Sequence, residues 1–259
     1  MKASAKRTPQ PIPTFSIPSL PEEDVAKTKN RLKGLREKCL IRDRHRCVIT
    51  RKFDLSEALQ RNERDGANAK DDNDHLLHME TIEPVILQVA HILPHSLMSS
   101  DGQEEAKKAA RAILNMFDYG IIHLINGVDI DRPTNALTLT VGLHQLFSDF
   151  RIYFEPTSNA QIPHTYTIRL TKPVPFIRNF PITRTLCESP NREIDLPSPR
   201  LLAIHRAIAL ILHLSGAEEY IDRILEDIRD SIVKSDGTTE LGRLVSLRLG
   251  GWWNGIQVY

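Results

Sequence analysis

The sequence is poor in cysteine, and its three cysteines, Cys39, Cys47 and Cys187, form an odd, unclustered set with no C-x-x-C pair. That spacing excludes a zinc ribbon, a vicinal redox couple and a disulfide-stapled scaffold, and it fits a reducing, intracellular setting. Long apolar runs are also missing. No stretch approaches the roughly 20 apolar residues of a membrane span, and none of signal-peptide length follows the basic N-terminus, so a soluble protein with no membrane partner is expected. There is no excess of charge of either sign, with 34 Lys and Arg against 33 Asp and Glu. Whole-molecule attraction therefore cannot hold a polyanion, and any nucleic-acid contact must come from local patches. What is present is an ordinary globular composition, 41% hydrophobic and 26% charged, which excludes disordered and collagen-like classes.

Residues 1–20 are proline-rich and lack any period, reading as an extended tail. The S-x-x-E spacing of Ser19 and Glu22, followed by Val25, Leu32, Leu35 and Cys39, predicts a helix over 21–40. The polar stretch between Leu59 and His78 reads as an inserted surface loop. Ala106, Ala109, Ala110, Ile113, Leu114 and Phe117 lie on one helical face closed by Gly120, which predicts a helix over 104–117. The short runs 85–92, 121–125, 136–140 and 151–154 are rich in β-branched or aromatic residues and are expected to be strands. The character changes after Pro156, which places a domain boundary near 160, with 21–160 as one module and 161–259 as a mainly helical accessory region. In that region Tyr166–Leu170 alternates like a half-buried strand. Ser198-Pro199 opens an apolar helix to Leu214 that must be buried, and a further amphipathic helix is predicted over 218–233.

Three segments carry the chemistry: Arg46-Cys47-Val48-Ile49-Thr50-Arg51, Val89-Ala90-His91-Ile92-Leu93-Pro94, and the stretch from Asn135 to Phe147 that contains His144. Histidine suits a general base because its ordinary pKa lies near neutrality. Each segment also has a plainer reading. A lone histidine near a strand end is ordinarily structural, Asn135 after Pro133-Thr134 is a natural turn residue, and Cys47 reads as a strand residue facing the core. Arg31 to Arg46 holds seven basic residues against only Glu37 and Asp43, and Arg169 to Arg184 is a second basic stretch. Each reads as a solvated face when taken alone.

Taken in order, these segments resemble the HNH endonuclease superfamily, in particular its fungal branch, with C-x-x-T, A-H-I-L-P, N-x-L-x-L and a helix opening with His. The flanks from Asp149 to Pro156 and from His205 to Ala217 extend the resemblance. It implies an α+β fold built on a ββα-metal module, with an inserted helix and a largely helical C-terminal region. It further implies a phosphodiester hydrolase in which His91 is the general base, Asn135 pins the loop that orients it, and His144 binds one divalent ion from the helix. The ion implied is Mg²⁺, or alternatively Mn²⁺, and the partner is nucleic acid, DNA before RNA, met by Arg42, Arg44, Arg46 and Arg51.

The pattern departs from the family at two metal-ligand positions, where Ala90 and Ser148 stand. His144 is then the one strong ligand expected, with Asp149, His95 or Gln88 as substitutes. Such a set suits a largely hydrated Mg²⁺ and hardly zinc. His91 and Asn135 also stand 44 positions apart, a gap mostly filled by the 104–117 helix, which reads as an insertion packed on the module. Two further readings stay open: a catalytically lapsed HNH domain that binds nucleic acid or a protein, and an interaction module dominated by its C-terminal helices. Trp252 and Trp253 are candidates for base stacking or for core packing.

Overall fold

The computed structural model describes residues 22–97, 104–157, 162–174, 180–186 and 193–216. The tail 1–20, the 218–233 helix, Cys187 and the two tryptophans lie outside them. The order of elements is α1 (Glu22–Arg42), α2 (Leu55–Asp65), β1 (Leu87–His91), α3 (Glu104–Phe117), β2 (Ala136–Thr140), α4 (Val141–Ser148), β3 (Ile152–Pro156), β4 (Thr165–Leu170), β5 (Ile182–Thr185) and α5 (Pro199–Leu214). The fold is α+β. Among the described residues no helix is long and apolar enough to cross a membrane.

Strands β1 and β2 form an antiparallel pair in which His91 faces Ala136 and Leu87 faces Thr140. Helix α4 follows β2 directly and completes a ββα unit. On β1 the buried positions are Leu87 and Ala90, which join Leu137, Leu139, Leu143 and Phe147 in the main core. Helix α1 covers this unit through Leu35 and Cys39, which pack with Ala136 and Val89. Strands β3, β4 and β5 make a second antiparallel sheet, ordered β3-β4-β5. Its Ile152, Phe154, Tyr166 and Ile168 share one apolar cluster with the ββα unit and with Leu201, Leu202 and Ile204 of α5. The expected boundary near 160 therefore falls between two paired strands above a common core, and the described part of 161–259 contributes two strands besides its helix.

Four local expectations are corrected. The polar stretch between Leu59 and His78 is not all loop, because α2 (Leu55–Asp65) runs into it, opened by the side chain of Asp54 accepting from the Glu57 amide. A lengthwise Arg61–Glu57 ion pair supports this helix although it buries no residue, so periodicity gave no signal. Residues Ile121–Leu124 form a short 3-10 helix rather than a strand. Gly120, at φ 81°, precedes it in the left-handed conformation, which lets the chain turn after α3. Cys47 is buried as expected, but it begins a tight turn: its amide donates to Lys52 O and its carbonyl accepts from Arg51. Helix α5 buries Leu201, Leu202, Ile204, His205 and Ala209 while Ile211 and Leu214 stay exposed, so it is embedded on one side only.

Candidate active site

His91 is the last residue of β1, and the chain leaves the strand there toward Leu93 and Pro94. Asn135 holds that exit. Fully buried, its side-chain oxygen accepts from the Leu93 amide at 2.9 Å, and its amide nitrogen donates to Leu93 O and Ile130 O, each at 3.0 Å. Its backbone carbonyl also accepts from Ile92 N at 2.8 Å. Three of these bonds fix the two residues after His91 and the fourth ties Ile130 to them, which is a stronger constraint than a turn asparagine provides.

His144, half-buried on α4, faces β1. Its Nδ1 lies 2.7 Å from Gln88 Oε1, and since an amide oxygen only accepts, the proton sits on Nδ1 and the lone pair on Nε2. Gln88 therefore orients His144 instead of supplying a ligand missing at Ala90 or Ser148. Burial lowers the pKa of His144 below its ordinary value, which favours the neutral, ligating form. Burial also lowers that of His91, reinforced by His95 and His144 and opposed by Asp131. An imidazole so placed is neutral and basic at pH 7.

Asp131 was not anticipated from the sequence. Its side chain is 2% exposed and lies 3.1 Å from His91 Nε2, 3.6 Å from His95 Nε2 and 3.2 Å from Arg31 Nε. It closes the 3-10 segment Gly127–Asp131, within the long gap between the two motif arms. An aspartate four residues before Asn135 carries no periodic or motif signal. Only its place beside that asparagine hints at it.

The other expected ligands are used elsewhere. Asp149 caps α4 and accepts from Gln145 Nε2 at 2.8 Å, and His95 turns to Asp131. Among the described residues no three His, Cys, Asp or Glu side chains gather as a metal cage. Ala90 explains part of this, because its position is fully buried among apolar side chains, where a carboxylate would be strongly disfavoured. The donor set that exists, one imidazole nitrogen aimed by a fixed amide, fits a hard, mainly hydrated ion and does not fit zinc.

The four arginines expected to meet nucleic acid all bond to other parts of the protein, and Arg42 is buried. Arg42 is fully buried, chelates both oxygens of Asp43 at 2.8 Å and donates to Pro133 O and Ala136 O. It braces the start of β2 and cannot reach a polyanion. Arg46 pairs with Asp71 at 2.7 Å and with Glu80, Arg44 bonds Asn73, and Arg51 donates to Thr185 O at 2.6 Å. The acids that meet Arg46 come from the polar segment after α2.

Residues 47–155 match the family model described as HNH endonuclease, and they span the turn at Cys47, the hairpin with His91 and Asn135, helix α4 and β3. Over these residues the chain is similar to the HNH endonuclease family, as the ordered motifs implied. No curated protein and no solved structure gave a significant match.

Proposed function

We propose that the protein is a metal-dependent endonuclease that hydrolyses phosphodiester bonds, in DNA before RNA, with His91 as general base. The observation that supports this most is the joint fixing of two imidazoles across one ββα unit: His91 by the Asn135 clasp on its exit loop and His144 by Gln88 on the neighbouring strand. Neutral His91 takes a proton from water as the water oxygen bonds to phosphorus and the ester oxygen departs, to be protonated by solvent. His144 Nε2 would hold one Mg²⁺ or Mn²⁺ ion, which when bound stabilises negative charge on the phosphate and leaving oxygens.

Supercoiled plasmid incubated with Mg²⁺ or Mn²⁺ should be nicked by the wild type and left intact by His91→Ala. Cutting that persists in the variant would remove the proposal. A second reading, a lapsed domain that binds nucleic acid without cutting, is favoured by the missing donor cluster among the described residues. Retention of plasmid on a gel without nicking by either protein would establish it instead.

A further inference from the structure

We propose that Asp131 is the positioning residue of His91, fixing the imidazole proton on Nε2 so that Nδ1 is the nitrogen that receives a proton from water. Asp131 Oδ1 lies 3.1 Å from His91 Nε2, and a carboxylate offers acceptors only, so the hydrogen between them belongs to the imidazole. The charge of this nearly buried group is met by Arg31 Nε at 3.2 Å on the other oxygen, with His95 Nε2 at 3.6 Å on that same oxygen. These are the titratable and charged groups that face it, one from α1 and two from the chain at and after the end of β1. A buried carboxylate answered by a guanidinium is a fixed feature that can set the tautomer of a neighbour.

The bonding of Asn135 strengthens the assignment. Its amide nitrogen bonds both Leu93 O, two residues after His91, and Ile130 O, the residue before Asp131. A single side chain thus sets the spacing of the two loops that carry the imidazole and the carboxylate. The second role of this asparagine is to hold Asp131 against His91, and the geometry of the pair rests on hydrogen bonds of its own rather than on loop packing.

The proposal deepens the nuclease reading, and its test needs no substrate. In protein with ¹⁵N-labelled histidine, long-range ¹H–¹⁵N correlation at pH 8 reads the tautomer of each ring, with His91→Ala assigning the His91 signals. Wild type should show His91 protonated at Nε2 and unprotonated at Nδ1. Asp131→Asn keeps the shape but can donate as well as accept, and it should shift His91 toward a mixture or toward the other tautomer. A wild-type ring protonated at Nδ1 overturns the proposal, whether or not the variant folds. An unchanged tautomer in a folded Asp131→Asn protein does so too. Where plasmid is nicked, Asp131→Asn should lower kcat about ten- to a hundred-fold with little change in KM, since the general base loses its orientation and not its substrate. A plasmid assay that fails in wild type sinks the nuclease reading and leaves the tautomer result standing.

Discussion

At the residue scale, the site depends on side chains that bury polar atoms only because every such atom has a partner. Asn135→Ala removes one acceptor and two donated bonds at a fully buried position. It strands the Leu93 amide, and the expected loss is about 3 kcal/mol, measurable by urea denaturation. Arg42→Ala should cost about 3–5 kcal/mol by the same measurement, because Asp43 would keep a buried charge without its counterion. The pH dependence of nicking follows from His91, whose pKa burial holds below 6.5. The base form then persists below that value, and the acid limb of kcat/KM should have its midpoint under pH 6.5 in a pH–rate profile.

At the scale of elements, Asp54 joins three parts of the chain. Its Oδ1 caps α2, while its Oδ2 accepts from the Leu87 amide at 3.2 Å and faces Arg36 of α1 at 3.5 Å. Asp54→Ala should lower stability by about 1–2 kcal/mol for the lost cap alone, and by more for the unpaired start of β1; circular dichroism with denaturant reads both. The elements legible in the sequence were those that bury a face. Helices α1 and α3 and strands β1, β2 and β4 each place apolar residues at their own period. Helix α2 buries none of its residues and is held by a cap and ion pairs, so only its termini could have revealed it. The same division holds in the site. His91, Asn135 and His144 lie in short contiguous motifs, whereas Asp131 and the carboxylates that claim Arg46 meet their partners only after folding. Residue type showed which arginines were basic, but burial alone shows that Arg42 is structural.

For the whole molecule, acid should be destabilising in a defined order. His205 is buried between Phe147, stacked at 3.8 Å, and Phe150 at 4.7 Å, with Nε2 bonded to Phe147 O and Nδ1 without a partner among the described residues. Burial pushes its pKa down from 6.5 to about 4. The unfolded chain therefore binds a proton that the folded chain refuses, so this stability is complete above pH 6.5 and is lost as pH falls toward 4. The loss is on the order of 3 kcal/mol. Asp71 works in a lower window. Although burial raises its pKa, bonds from Arg46 and from the His75 and Asn73 amides hold it down to about 2, so its contribution is lost between pH 3.8 and 2. Thermal melts across pH 7 to 4 should show a falling Tm, and His205→Leu should flatten that slope.

The clasp between Leu93 and Asn135 spans 42 positions of chain, and this separation sets when the site can assemble during synthesis. A ribosome releases the future base long before the carboxylate, the asparagine and the second imidazole have emerged. Nascent chains and products of premature termination before Asp131 therefore carry His91 without the groups that hold it, and the site cannot assemble until synthesis has passed His144.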